Sequence, residues 1–346
     1  MQRASLCTRK QTSLAQNQAR EWRKTMAENQ YIYAVARIRS KEMSLLSHKT
    51  MEQLIACKNY EDCLRILSDK GWDCEGKQPE EFLTKEREKT WALMKELVED
   101  MSVFDVFLYE NDFHNLKAAI KQVCNSEEVP NIYKSNGTMD PKIIYEAVKH
   151  NDFKSLPEYM QECGQRAYEV ALKSRDSQLC DVILDKASLE MTLKAGIRSK
   201  KEIFLGYARL KVVAADINIA IRSCKTNKSA EFLKQALAAC DTLDIDALRE
   251  AVLHGVDAIY EYLETTVYAD AIEAIKTSPS AFEKWCDDKM IEYIKPQKYN
   301  PFTIEPLAAY VLARENEIKC VRILLSGKLN DLSEESIQER LREMYV

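Results

Sequence analysis

Glycine and proline are scarce in this chain of 346 residues, which contains eight of each. Both residues break helices and build tight turns, and a sheet protein of this length needs many turns between its strands. Their scarcity, together with abundant alanine, leucine, glutamate and lysine, predicts an all-α protein. No uncharged run approaches the roughly 20 residues of a membrane-crossing helix, so we expect no direct membrane insertion.

Residues that commonly bind metals or act as nucleophiles are few or badly spaced. The four histidines form no His-Glu-x-x-His motif, and no two of the eleven cysteines form a Cys-x-x-Cys motif. Cys57, Cys180 and Cys320 lie among apolar neighbours, which is typical of small buried side chains in a reducing compartment. We therefore predict no metal site, no cofactor and no catalytic residue.

One short segment superficially resembles the end of a phosphate-binding loop. It consists of Ser326, Gly327 and Lys328, but Arg322 stands where such a loop requires its earlier glycine. No strand is predicted before it, so the backbone amides that cradle a phosphate have no framework. We interpret Gly327 as a helix stop.

Charge is unevenly distributed along the chain. The net charge is −5, yet residues 1–25 carry six basic side chains and one acidic side chain. The rest of the chain is therefore acidic, which disfavours nucleic acid as a partner because phosphate binding needs a basic surface. We interpret residues 1–25 as a disordered or non-native extension, with a targeting peptide as the alternative.

Local signals place several helix starts. Thr50 is followed three residues later by Gln53, a capping-box pattern. Asp140 precedes Pro141, a cap followed by a proline at the first helical position. Asp244 precedes another apolar stripe. The sequence therefore predicts that helices begin at these three points.

Two short patterns each recur three times, at intervals of about 90–105 residues. The first is an apolar stripe, a polar helix end and a second short helix, in residues 55–64, 147–156 and 251–260. The second is an acid followed by a large apolar residue, and its three examples are Asp112 with Phe113, Asp216 with Ile217, and Glu317 with Ile318. We predict three helical repeats in one compact body: 26–138, 139–242 and 243–346.

The last forty residues predict a long amphipathic helix that ends at Gly327, a short loop and a terminal helix capped by Ser333. The predicted stripe on the long helix consists of Val311, Leu312, Ile318, Val321, Leu324 and Leu325.

This tail, and three earlier segments, carry a family resemblance. Residues 313–346 are similar to the C-terminus of the C subunit of bacterial and archaeal A/V-type rotary ATPases, whose eukaryotic counterpart is the d subunit of the V-ATPase. Residues 31–47, 51–72 and 107–122 resemble the family's opening helix, its first hairpin and its Asp-aromatic segment. The resemblance covers the chain from Tyr31 to Val346.

The resemblance implies three similar helical subdomains in a funnel-like arrangement with pseudo-threefold symmetry. It also implies a non-catalytic component of the central stalk that couples an axle, made of the D and F subunits, to the membrane proteolipid ring (the c or K subunit). The A/B catalytic head would be an indirect partner, and proton or sodium transport would be linked to ATP. The expected location is cytoplasmic, peripheral on the membrane through the complex.

The repeat also suggests where partners bind. Asn59, Asn151 and Gly255 occupy equivalent turns, and we expect them on one rim of the funnel. Two alternatives stay open at this point. One is a helical-repeat scaffold that binds proteins away from the membrane. The other, an all-helical lyase, would require a pocket of clustered polar groups, and the sequence indicates none.

Overall fold

The computed structural model describes residues 31–74, 76–125, 130–173 and 177–346. Across these ranges the chain forms α-helices and short 3-10 segments without a strand, and a single isolated bridge joins Cys240 and Leu243. The predicted all-α class is confirmed. The predicted extension 1–25 lies outside the described residues.

The helices of the amino-terminal part are α1 (Ile32–Glu42), α2 (His48–Ile55), α3 (Tyr60–Asp69), α4 (Pro79–Leu97) and α5 (Tyr109–Asn125). The middle of the chain forms α6 (Pro141–Lys149), α7 (Glu158–Lys173), α8 (Ser177–Ser199), α9 (Glu202–Lys225) and α10 (Ala230–Ala236). The remainder forms α11 (Ile245–His254), α12 (Val256–Glu264), α13 (Ile272–Thr277), α14 (Pro279–Ile294), α15 (Glu305–Leu329) and α16 (Glu334–Gln338). The 3-10 segments are Met101–Phe107, Phe153–Ser155, Ala269–Ala271 and Lys295–Tyr299.

Two of the three predicted helix starts are confirmed. The Asp140 carboxylate accepts the Lys142 N–H, and Pro141 is the first residue of α6. Asp244 accepts the N–H groups of Asp246 and Ala247 at the start of α11. Each side chain satisfies backbone donors that have no partner within the helix.

The predicted start at Thr50 is wrong by one turn. The residue that caps α2 is Ser47, whose hydroxyl accepts the Thr50 N–H, so Thr50 lies inside the helix. Ser47 and Thr50 both suit a cap chemically, and the residue before the earlier one, Leu46, is bound through its N–H by the buried Glu317 carboxylate.

The described residues divide into two compact units. The first contains the described part of Met1–Glu99 together with Ile294–Gln338 and Glu343–Val346. Its central element is α15, which packs against α1, α3 and α4. Segments that are distant in sequence therefore fold into one unit.

Helix α15 is buried on nearly all sides, which differs from the predicted amphipathic helix. Every residue of the predicted stripe is buried, but so are polar residues between its members, including Arg314, Asn316 and Glu317. They tolerate burial because they bind one another or neighbouring segments. The stripe therefore marks only part of the packed surface.

The predicted helix stop at Gly327 is also wrong. Helix α15 continues to Leu329, and Asp331 adopts the left-handed conformation, with φ of 52°. The Leu332 N–H then bonds back to the Gly327 carbonyl at 3.0 Å, which closes a Schellman-type turn. Gly327 itself is buried, and a Cβ there would lie 2.6 Å from Cγ1 of Ile337. The glycine therefore permits α16 to pack closely on α15.

The predicted cap of α16 is confirmed, because the Ser333 hydroxyl accepts the Ser336 N–H at 3.2 Å. The signal is local, since the hydroxyl and the amide that it binds are three residues apart.

Substitution at Gly327 and Asp331 distinguishes a packing glycine from a stop. We expect Gly327→Val to lower the free energy of unfolding by about 1–3 kcal/mol, because the new side chain overpacks the contact with Ile337. Asp331→Gly should instead raise stability by up to about 1 kcal/mol, because glycine adopts a positive φ without steric cost. Chemical denaturation of both variants checks these values, and a harmless Gly327→Val would contradict this account of the packing.

The second unit consists of Asp100–Tyr293 and Glu339–Arg342. Its long helices α8 and α9 pack along each other, and α7, α5 and α10 pack on α8. A continuous apolar core joins α9 to the hairpin of α11 and α12, through residues such as Ile217, Leu248 and Ile259. The predicted boundaries of the three repeats stay a prediction beside this division into two packed units.

Candidate functional site

The first predicted rim residue, Asn59, lies in the turn between α2 and α3 of the first unit. Its side-chain oxygen accepts the Asp62 N–H at 2.9 Å and so caps α3, and the residue is exposed. The same turn is anchored from α15, because the Lys328 ammonium donates to the carbonyls of Ile55 and Cys57 at 2.6 and 2.7 Å. The turn is thus exposed at its tip and fixed at its base.

The other two predicted rim residues lie in the second unit. Asn151 is exposed and follows α6 with φ of 53°, and Gly255 joins α11 to α12 with φ of 119°. A positive φ is unfavourable for most residues and suits asparagine and glycine. The prediction that all three residues lie at turns between helices agrees with the structure. Their grouping on one rim stays a prediction.

The histidines of these turns lie where helices end. His150 follows the last residue of α6 and His254 is the last residue of α11. Each ring lies next to a glutamate one turn earlier, His150 next to Glu146 at 3.3 Å and His254 next to Glu250 at 3.0 Å. Both rings are exposed. Their position at the carbonyl ends of helices agrees with a structural role, because a histidine there interacts favourably with the helix dipole.

The second sequence pattern has a clearer structural role, since all three of its acids are buried. Asp112 of α5 is fully buried, and its carboxylate accepts the N–H groups of Thr138 and Met139 at 2.9 and 3.3 Å. The Thr138 hydroxyl donates to its other oxygen at 2.6 Å. These bonds hold the backbone immediately before Asp140, the cap of α6.

Glu317 of α15 does the same in the first unit. Its carboxylate accepts the Leu46 N–H at 2.5 Å, immediately before Ser47, the cap of α2. The Arg314 guanidinium bonds the other oxygen of Glu317 and reaches Glu86 of α4 at 2.7 Å. The hydrogen bond from the Leu46 N–H therefore lies among three buried charged side chains, those of Glu317, Arg314 and Glu86.

Asp216 of α9 is the third member. It is fully buried, and one oxygen accepts the Ala238 N–H at 2.9 Å, in the segment that leads from α10 to α11. Within the described part of the chain its other oxygen, Oδ2, has no hydrogen-bond partner. This contact carries one hydrogen bond where that of Asp112 carries three.

We call these three contacts the carboxyl clamps: Asp112 with Thr138 and Met139, Asp216 with Ala238, and Glu317 with Leu46. In each, an acid on a long helix binds the backbone that leads into one of the three helix-hairpin turns. The first two clamps act on the hairpin that follows in sequence, whereas the last acts on the first hairpin of the chain, across 271 residues.

Burial raises the pKa of the clamp carboxyl groups, because removal from water penalises the charged form. Burial raises the pKa of Asp112, although its hydrogen bonds act in the opposite direction. Burial likewise raises the pKa of Glu317, while the charge of Arg314 and the Leu46 N–H lower it. For Asp216 burial raises the pKa to about 7, and the Ala238 N–H opposes this shift.

The clamps are arranged to hold backbone rather than to react. In the described ranges no group of three or more histidine, cysteine or acidic side chains is placed to hold a metal ion. Burial raises the pKa of the Cys63 thiol to about 12 and that of the Cys180 thiol to about 11, so neither is an activated nucleophile.

The recurring sequence pattern contains the three acids of the clamps but not their partners. Thr138, Ala238 and Leu46 contribute backbone N–H groups, and no side-chain pattern reveals a backbone donor.

A substitution tests whether a clamp contributes to stability. We expect Asp112→Ala to lower the free energy of unfolding by about 2–3 kcal/mol, because the N–H groups of Thr138 and Met139 then lack their acceptor. The matched control is Asp140→Ala, which removes only the exposed cap of α6 and should cost about 1 kcal/mol. Equal losses from both variants would show that Asp112 is no more than an ordinary cap. The measurement is chemical denaturation followed by circular dichroism.

None of the helices within the described residues combines the length and apolar character needed to cross a lipid bilayer.

Comparison with known proteins identifies the family. Residues 34–340 match the model of the ATP synthase (C/AC39) subunit family. The C subunit of the V-type sodium ATPase of Enterococcus hirae is 24% identical over 326 residues, which cover 89% of this chain and 97% of that protein. The C subunit of the A-type ATP synthase of Desulfurococcus is 25% identical over 91% of both chains. That of Methanocaldococcus jannaschii is 24% identical over 90% of this chain and 86% of its own length. The matched region contains all the helices from α2 to α16, and the chain belongs to the ATP synthase (C/AC39) subunit family.

Proposed function

We propose that this protein is a non-catalytic component of the central stalk of an A/V-type rotary ATPase. In this role it joins the axle, made of the D and F subunits, to the proteolipid ring in the membrane, and so couples ATP in the A/B head to proton or sodium transport. The observation that carries the proposal is the family match over residues 34–340, supported by relatives named as the C subunit of V-type and A-type complexes. The protein would lie on the cytoplasmic side of the membrane, attached through the complex.

The packing of the chain supports a role in transmitting torque. A coupler must pass force without deforming, and close-packed interiors have low compressibility. In the first unit, α15 is buried along its length and linked to α4 by Arg314 and Glu86. A second link between the same helices joins Arg87 to Glu315 at 2.8 Å. Charged pairs that cross between helices resist sliding of one helix along another, because sliding would separate them.

The carboxyl clamps support the proposed threefold architecture. A repeat of common origin should keep equivalent contacts, and Asp112, Asp216 and Glu317 each bind backbone that enters a hairpin. We propose on this basis that three similar subdomains are arranged with pseudo-threefold symmetry as a funnel. Glu317 of the third proposed repeat, 243–346, binds the backbone that enters the amino-terminal hairpin of the first, 26–138.

The proposed partner rim consists of the three hairpin turns at Asn59, Asn151 and Gly255. Charge reversal tests it best at exposed neighbours that do not cap a helix, namely Lys58→Glu, Lys149→Glu and Asp257→Lys. We expect weaker binding to the axle or to the ring from each of them, with unchanged helix content. The matched control is Lys70→Glu, which is also exposed and lies at the far end of α3, where its backbone N–H rather than its side chain makes the cap contacts. Binding that is unchanged in all three variants would remove these turns from any interface.

The composition of the native assembly tests the proposal as a whole. The tagged protein is purified from detergent-solubilised membranes of its own host, and every accompanying chain is identified. We expect the axle subunits, the A/B head subunits and the proteolipid. Recovery of the protein without any of them, entirely in the membrane-free fraction, would overturn the proposal and favour a free helical-repeat scaffold.

A further inference from the structure

Asp216 is the least satisfied of the three clamp carboxyl groups. It accepts one backbone hydrogen bond, whereas Asp112 accepts four hydrogen bonds, three from Thr138 and Met139 and one from the Tyr159 hydroxyl, and Glu317 binds both a backbone N–H and a guanidinium. Oδ2 of Asp216 has no partner within the described residues and no contact with solvent. A buried carboxylate with an unpaired oxygen is costly, whereas a neutral carboxylic acid in the same place costs far less.

The surroundings of Asp216 offer little to stabilise a negative charge. Val213, Ile217 and Ala220 flank it on α9, and all three belong to the apolar core. The neighbouring helices α10, α11 and α12 contribute Leu233, Leu248 and Ile259 to the same core, and neither of the two charged groups that shift the pKa of Asp216 lies on them.

The charged groups that act on Asp216 both come from α8. They are Lys186, which favours the carboxylate, and Glu190, which disfavours it. Lys186 is already engaged, since its ammonium donates to the Lys234 carbonyl at 3.0 Å and lies 3.9 Å from Glu190. Among the described side chains, no counter-ion therefore contacts the buried carboxyl, in contrast to Arg314 beside Glu317.

We propose that Asp216 is a proton-dependent latch: as a neutral acid it holds the segment between α10 and α11 through the Ala238 N–H, and its ionisation releases that segment. Two outcomes are available to Asp216 when its buried carboxyl group ionises. The carboxylate either stays buried without a counter-ion, or it moves towards water and gives up the Ala238 hydrogen bond. The second outcome loosens the entry to the α11–α12 hairpin, which carries Gly255.

The direction of the pH effect follows from the protonation of two forms of the protein. In the closed form Asp216 is buried and bound to the Ala238 N–H, and in the open form its carboxyl group is in water. The pKa of Asp216 is about 7 in the closed form, and an ordinary aspartate in water titrates near 3.9. Between these values the closed form binds one proton more than the open form, so opening becomes easier as pH rises. The equilibrium constant for opening should increase about tenfold per pH unit and should become constant above about pH 7. The latch is therefore tight in acid and weak at neutral pH.

Amide hydrogen exchange of the full-length protein tests the latch. Protection of the Ala238 amide, corrected for the intrinsic pH dependence of exchange, should fall about tenfold per unit between pH 5 and pH 7. In Asp216→Asn, whose side chain keeps the acceptor and cannot ionise, protection should stay constant over the same range. Asp112→Asn is the matched control, because it alters another clamp and should leave the slope at Ala238 unchanged.

Two results would overturn the latch. One is protection of the Ala238 amide that does not change with pH in the unmodified protein, and the other is an equal dependence of that protection on pH in Asp216→Asn. Infrared difference spectroscopy provides an independent readout that does not depend on local opening. It should show the carbonyl stretch of a buried carboxylic acid that disappears as pH rises through neutrality and is missing from Asp216→Asn. Absence of that band at pH 5 would also overturn the proposal. Because these readouts concern the isolated chain, they do not depend on its role in a rotary complex.

Discussion

Replacing Arg314 with alanine should lower the free energy of unfolding by about 3–5 kcal/mol. Arg314 is 7% exposed, and its guanidinium is the shared partner of Glu86 and Glu317, residues that are 4% and 1% exposed. It also lies 5.2 Å from the centre of the Trp72 ring. Its removal leaves two carboxylates close together in the interior without a counter-ion, and one of them must then protonate or reach water.

A surface pair on the same helix provides the control. Arg322 of α15 binds Glu80 at 2.8 Å, but the two side chains are 39% and 70% exposed, so Arg322→Ala should cost less than about 1 kcal/mol. Chemical denaturation followed by circular dichroism measures both variants. A third variant with Arg314→Met, Glu86→Gln and Glu317→Gln together should recover much of the loss, because it leaves no buried charge. Equal, small effects of Arg314→Ala and Arg322→Ala would contradict the role assigned to the buried cluster.

Asp216→Asn should make the protein more stable at neutral pH, by up to about 4 kcal/mol. The pKa of Asp216 is about 7 in the folded protein and near 3.9 in the unfolded chain, and each unit of difference corresponds to about 1.4 kcal/mol. Because the folded pKa is the higher one, the folded state binds the extra proton between pH 4 and pH 7. The stability that this proton provides is complete below pH 4 and is lost as pH rises to 7.

The difference between the two proteins isolates this contribution from all other titrating groups. Unfolding free energies of the unmodified protein and of Asp216→Asn should be similar near pH 4 and should diverge as pH rises, with a constant difference above pH 7. Asp241→Asn is a suitable control, since Asp241 pairs with Arg209 at the surface and its pKa is lowered by that pair. Its difference from the unmodified protein should have the opposite sign, with stability lost in the variant at neutral pH. A constant difference for Asp216→Asn across the whole range would be incompatible with a neutral buried acid.

Helix content and the helix starts at Asp140, Asp244 and Ser333 were predictable because their signals are local. A cap such as Asp140 or Asp244 binds N–H groups two or three residues away, so the sequence contains both partners. The start of α2 shows the limit of this reasoning. Ser47 and Thr50 both have a suitable hydroxyl, and the contact that holds the backbone next to Ser47 comes from Glu317, which is distant in sequence.

The role of Gly327 was not predictable from its neighbours. A glycine near the end of a helix serves equally well as a left-handed cap or as a contact surface, and Ile337 of the next helix decides between them. The burial of α15 was underestimated for a related reason. Arg314 and Glu317 look like surface residues in the sequence, and only the pairing of Arg314 with both Glu317 and Glu86 explains why they are inside.

The carboxyl clamps were partly predictable, less so than the helix caps and more so than the role of Gly327. The sequence shows an acid before a large apolar residue three times, and the structure shows all three acids buried. Their partners are backbone groups 22, 26 and 271 residues away, which have no sequence signature. A buried acid on an otherwise apolar helix face was therefore a detectable signal of a structural contact, although the identity of the contact was not.

We propose that this chain connects the axle of a rotary ATPase to its ion-carrying ring. The most direct test is to assemble the native complex in sealed vesicles with and without this chain and to measure ATP hydrolysis and ion transport on the same preparation. We predict that omission abolishes ATP-driven transport while the catalytic head continues to hydrolyse ATP, and that adding back the purified chain restores transport. Full ATP-driven transport in vesicles that lack the chain would contradict the claim.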